Sequence, residues 1–169
     1  MATIIKQSEL EFKENPGKID KFRILTDISR TQKGVNPEWL NFDVRQLNPK
    51  QYSAPYHFHH FAEELFMILS GKAMLRTPQG FQEVESGDLI FFEKESEGAH
   101  QLYNHTAEPC TYLDIRTYIG HDVCEYPDSD KIYVVPSGEI LRKSDTLPYF
   151  DGEEKVDEKW GQSQISSKT

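Results

Sequence analysis

Positive charge is scarce in this chain. Its 19 lysines and arginines stand against 28 aspartates and glutamates, a formal net charge of −9. No cluster of Lys or Arg breaks that balance locally, so a surface built to follow a phosphate backbone is excluded and no nucleic-acid partner is expected. Long apolar runs are missing as well. The longest, LFMIL at 65–69, is far too short to cross a bilayer, so no membrane partner is expected. MATIIKQSEL at the start lacks a basic region followed by a long apolar run and does not read as a secretory signal. Cysteine is rare: Cys110 and Cys124 stand fourteen residues apart, a pair that could form a disulfide but that, with no export signal, reads as two reduced, packed thiols. A cytoplasmic location is expected. There is almost no sustained helical periodicity, and no internal repeat, which together with the length excludes a two-barrel chain.

What is present suits one all-β domain. The 169 residues are 37% apolar and 12% aromatic, enough for a single core. Short strand-like runs are predicted at 22–25, 39–47, 56–59, 64–69, 73–76, 81–85, 89–92, 99–105, 111–119 and 132–135. Turn residues separate them: Asn-Pro at 15–16, 36–37 and 48–49, Ser-Gly at 70–71 and 86–87, and Thr-Pro-Gln-Gly at 77–80. Many short strands at this spacing point to a sandwich or barrel. Residues 33–38 read as a loop. The domain is expected over 1–150, with a polar tail over 151–169 on which only Trp160 suggests docking.

Three of the six histidines fall within PYHFHHFAEELFMILSG at 55–71. Alternate residues of a strand share a face, so His57 and His59 point the same way. Glu64 has the opposite parity and joins them only after a bend, which gives His60 the role of a bend residue. Glu64, Phe66 and Ile68 then share one face, with Leu65, Met67 and Leu69 on the other. Both faces are apolar, so this strand is expected to be buried on two sides. A second stretch, 87–106, brings His100, with Leu102 and Asn104 on its face and Gln101, Tyr103 and His105 opposite. Three imidazoles and one carboxylate suit a divalent transition metal: Fe, Mn, Ni, Co or Zn. Such a set leaves coordination positions open for water or a substrate.

The first stretch resembles cupin motif one, G-x5-H-x-H-x3,4-E-x6-G, with His57, His59, Glu64 and Gly71 in the matching positions. The second is similar to motif two, G-x5-P-x-G-x2-H-x3-N, through Gly87, His100 and Asn104. Gln51 replaces the first glycine, Glu93 the proline, and the loop before His100 is two residues longer than the pattern. These departures touch a turn and no ligand. The resemblance covers about residues 40–120 and implies a double-stranded β-helix, or jelly-roll barrel, with the four ligands in its mouth. Residues 126–130 and 147–149 are similar to a poorly characterised single-domain cupin group.

Phe66, two residues beyond Glu64, is a candidate for the pocket wall, and so are Tyr52, Arg45, Tyr103 and Tyr112. Asp114 and Arg116 alternate with Tyr112 and are taken as a solvated face. The acidic EKESE loop (93–97), His105 and His121 are read as solvated, and Asn104 as a brace at a strand end. One barrel hosts many reactions. A metal-dependent enzyme acting on a small polar molecule, of dioxygenase or sugar isomerase type, stands first. The alternative is a non-catalytic sensor or storage module for a metal or metabolite, and a metal-free epimerase-like cupin is a third. Cupins commonly pair through their sheets, so a homodimer is expected, with the N-terminal ATIIKQSELEF as an edge strand that adds to a neighbour.

Overall fold

The computed structural model describes residues 2–14 and 19–160. Its strands are β1 (Phe12–Glu14), β2 (Leu25–Asp27), β3 (Leu40–Leu47), β4 (Phe58–His59), β5 (Glu64–Ser70), β6 (Lys72–Thr77), β7 (Gly80–Glu85), β8 (Leu89–Phe92), β9 (Gln101–Tyr103), β10 (Cys110–Thr117), β11 (Asp122–Tyr126), β12 (Lys131–Val135) and β13 (Glu139–Arg142). Two short helices, α1 (Ser29–Gln32) and α2 (Val156–Trp160), accompany them. No helix among the described residues is long and apolar enough to cross a membrane.

Every named strand pair is antiparallel. One wall is a six-stranded sheet in the order β1-β2-β3-β10-β5-β8. The other combines β7-β6-β9 with β13-β12-β11-β4, and a bridge between His57 and His100 joins the two pieces. This is a jelly-roll barrel. Its core draws on both walls: Leu47, Phe66, Ile68 and Tyr112 from one, Ala73, Leu75, Val84 and Leu102 from the other.

The strand alternation decides which residues enter that core. On β5, Glu64, Phe66 and Ile68 are buried while Met67 and Leu69 are exposed. The expectation of a strand buried on both sides is therefore corrected: only one face of the sheet is covered by the other wall. Gly71 ends β5 with φ +78°, and a Cβ there would stand 2.4 Å from Pro109 O, so both the turn and the close chain approach require glycine.

Other differences have local causes. The strand expected at 22–25 starts only at Leu25, because Asp20–Phe22 is a 3-10 turn closed by Phe22 N donating to Ile19 O. The N-terminal edge strand is just Phe12–Glu14. Strands β11 and β13 have no counterpart among the expected runs; β13 is exposed throughout, so it carries no alternation to read. Residues 151–160 are exposed, Trp160 included, and residues 161–169 of the expected tail lie outside the described residues.

Candidate metal centre

The bend predicted between His60 and Glu63 is present and carries the chain from β4 in one wall to β5 in the other. It brings candidate ligand atoms of His57, His59 and Glu64 within 4.8 Å of one another. His100, from the far end of the motif-two loop, places Nε2 3.1 Å from Glu64 Oε2, and His59 Nε2 lies 3.4 Å from the same oxygen. His57 stands against both other rings, with centroids 5.1 Å from His59 and 4.8 Å from His100.

Each imidazole is held by its other nitrogen. His57 Nδ1 is 3.0 Å from Pro55 O, His100 Nδ1 is 2.9 Å from Gly98 O, and His59 Nδ1 is 2.5 Å from Asp122 Oδ2. Nδ1 donates in each pair, which fixes the tautomer and leaves Nε2 as a lone-pair donor facing its neighbours. His59 Nε2, His100 Nε2 and Glu64 Oε2 are buried and have no hydrogen-bond partner. Buried polar atoms are almost always satisfied. Three orphaned ligand atoms converging on one point fit a cation of the divalent transition class, which would satisfy all of them together.

The surroundings set the charge states. Burial drives His57 down from an ordinary 6.5 to about 3, helped by the neighbouring His100, so it is neutral and ready to coordinate. Burial also disfavours a proton on His59, but its contacts with Asp122, Cys124 and Glu64 outweigh that and push it up to about 11, so without an ion Nε2 carries a proton that coordination must displace. Burial alone would raise the Glu64 carboxyl; the imidazoles of His100 and His59 hold it well below its ordinary value.

Two residues of this site escaped the sequence reading. Asp122 is buried, orients His59, and accepts hydrogen bonds from the Phe61 and Val123 amides. Cys124 places Sγ 3.2 Å from His59 Nδ1. Asp122, Cys124 and Tyr126 alternate along one face of β11, but the alternation in DVCEY does not by itself say which face is inside. Tyr126 stacks on His57 at 5.7 Å, and Phe92 on His100 at 3.7 Å. Both cysteines are buried and free.

The pocket-wall candidates separate. Phe66 lies at the site, its ring 5.3 Å from His100 and 4.9 Å from the fully buried Tyr112. Arg45 faces the interior, with Nε 2.9 Å from Asp114 Oδ2. Tyr52 and Tyr103 stack on one another at 4.5 Å on the other side of β9 from Leu102, and are not brought to the ligands. The solvated reading of Asp114 is corrected. Asp114 is buried, because β10 turns Tyr112 and Asp114 inward beside Phe66, and burial pushes its carboxyl up to about 6 against the pull of Arg45. Asn104 is fully buried and donates to Leu47 O and Glu108 O, a brace and no pocket residue. Gly98 has a structural reason: a Cβ there would meet Glu93 O at 1.8 Å.

Among known proteins, the family model for the cupin domain matches residues 44–116. No curated protein matches the chain. Similar solved structures include a protein of Acidithiobacillus ferrooxidans assigned as a sugar phosphate isomerase, with 24% identity, TM-score 0.71, and 86% of this chain against 95% of that one covered. A sugar phosphate isomerase of the cupin superfamily from Silicibacter pomeroyi gives 20% identity and TM-score 0.73 over 88% of this chain and 98% of that one. A conserved protein with a double-stranded β-helix domain from Klebsiella pneumoniae gives 14% identity and TM-score 0.52 over 69% and 90%. At these identities the likeness is one of fold. Residues 44–116, which carry all four ligand candidates, are a cupin domain.

Proposed function

We propose that His57, His59, Glu64 and His100 bind one divalent transition metal, and that the protein is a metal-dependent enzyme acting on a small polar molecule. The carrying observation is the convergence of three buried, unpaired ligand atoms, each imidazole already oriented through Nδ1. Held by His57, His59, Glu64 and His100, an ion of this class would supply Lewis-acid polarisation of a substrate oxygen. The protein's own residues do the rest. Phe66, Phe92 and Tyr112 wall the inner side with aromatic surface and keep water out from below. Asp122 keeps the His59 ring aimed. Glu64 serves as a ligand, not a free base.

The reaction to test first is sugar phosphate isomerisation, the activity assigned to the two similar structures from Acidithiobacillus and Silicibacter. Metal-loaded protein incubated with aldose and ketose phosphates in D2O should exchange a carbon-bound proton, visible by NMR. A protein that holds metal and binds but never turns over such molecules, or oxidises them with dioxygen, would favour the sensor or the dioxygenase reading instead. The two free, buried thiols agree with a reducing compartment, and we place the protein in the cytoplasm on that basis.

We also propose that a second copy of this chain covers the outer face of the six-stranded sheet. In register across it run Phe42, Ile115, Leu65 and Phe91, and beside them Val44, Leu113, Met67 and Leu89. Of these, Met67, Leu89 and Phe91 are exposed. The four strands span roughly 19 Å by 27 Å, a footprint of about 500 Å². The N-terminal Ile5, Leu10 and Phe12 border it and widen it toward the ~800 Å² per partner of a standard interface. The two rows carry no charged residue, so identical faces meet without repulsion even at a net charge of −9.

A further inference from the structure

The inward face of β10 runs from Tyr112 through Asp114 to Arg116, from the core toward the mouth of the barrel. Arg116 is the register partner of Glu64 on β5 and of Asn41 on β3. Facing residues of adjacent strands have Cβ atoms about 5 Å apart, so this guanidinium springs from directly beside a candidate metal ligand. Its field reaches Asp114 and also Tyr126, the ring stacked on His57, which places it over the same end of the barrel.

The neighbouring arginines are accounted for. Arg30 pairs with Asp43 at 3.3 Å, and Arg45 with Asp114 at 2.9 Å and Asp43 at 3.4 Å. The two carboxylates on that face are thereby matched. Beyond the backbone ladder, the Arg116 side chain enters no hydrogen bond or ion pair with any described residue. Its nearest carboxylate in register, Glu64, is directed at His59 and His100. A divalent ion beside Glu64 and the buried Asp122 is about neutralised by the two carboxylates, so the unmatched guanidinium next to it leaves a net positive charge. A partly buried cation without a carboxylate partner is unfavourable unless an anion comes to it.

We propose that Arg116 anchors an anionic group, phosphate or carboxylate, on the molecule bound beside Glu64. Its planar fork matches two oxygens of either group, which lysine cannot do. The inference rests on the metal-centre reading and narrows the substrate class to small anions or anion-bearing polar molecules. It replaces the solvated role that sequence alone gave this residue.

The test uses metal-loaded protein titrated calorimetrically with inorganic phosphate and, separately, with malonate. Wild type should bind at least one of them, and the tighter of the two identifies the group recognised. Arg116→Gln should weaken that binding about tenfold or more, with Arg116→Lys between the two. Metal content, read by elemental analysis on each variant, separates failure of the anchor from failure of the centre. Equal affinity in wild type and Arg116→Gln at equal metal content overturns the proposal, as does a metal-loaded wild type that binds neither anion.

Discussion

His59 Nδ1 lies 2.5 Å from Asp122 Oδ2, and the contact turns the opposite ring nitrogen toward Glu64. A carboxylate behind a ligating histidine fixes its ring, its tautomer and its basicity. Asp122 is itself pinned by the amides of Phe61 and Val123, so the orientation is passed from the backbone to the ring.

Asp122→Asn therefore weakens metal binding by about 10–100-fold without removing a ligand. Competition with a chromophoric chelator measures it. Unchanged affinity would show that Asp122 has only a packing role.

The metal-free protein has a stability maximum near neutral pH. His57 falls from 6.5 to about 3 on folding. Below 6.5 the unfolded chain takes up a proton that the folded chain refuses, so stability drops as pH falls toward 3. His59 rises from 6.5 to about 11, so its contribution is complete below 6.5 and is lost as pH climbs toward 11. Thermal melts of chelator-treated protein across this range read both slopes, and His57→Asn should flatten the acid one. An acid limb unaffected by that substitution would contradict the neutral, buried His57.

Gly98→Ala disturbs the centre from outside it. The added Cβ meets Glu93 O, so the 93–98 loop must move, and with it the carbonyl that holds His100 Nδ1. A loss of about 1–3 kcal/mol in stability is expected, together with reduced metal affinity. A melting point and affinity equal to wild type would show that the loop yields freely.

Charging the outer sheet face breaks self-association. Leu89 and Phe91 are exposed on the edge strand β8, so Leu89→Glu with Phe91→Glu leaves the barrel core untouched. Light scattering after size exclusion should give twice the chain mass for wild type and the chain mass for the variant. A monomeric wild type would overturn the dimer.

The parity of the histidines was legible because a strand alternates strictly: His57 with His59, Glu64 with Phe66 and Ile68, His100 with Leu102 and Asn104. The bend before Glu64 followed from the same rule. Asp122 and Cys124 were not legible, since DVCEY mixes charged and apolar residues and only its pairing with β4 and β12 shows which face is inside. Asp114 and Arg116 were misplaced for a related reason. Both faces of CTYLDIRT are amphipathic in sequence, and a buried acid becomes plausible only once Arg45 is seen opposite it. The apolar outer face of β5 suggested burial within one chain, where the barrel leaves it uncovered.

Metal content decides the central claim most directly. Protein purified without added metal, then stripped and reconstituted with iron, manganese, nickel, cobalt or zinc, is measured by elemental analysis alongside His59→Ala. Wild type should retain about one ion per chain, the occupancy of a single four-ligand site, and His59→Ala should retain close to none. A wild type that stays metal-free after reconstitution, or a His59→Ala variant that binds as well as wild type, would contradict the assignment of His57, His59, Glu64 and His100 as ligands.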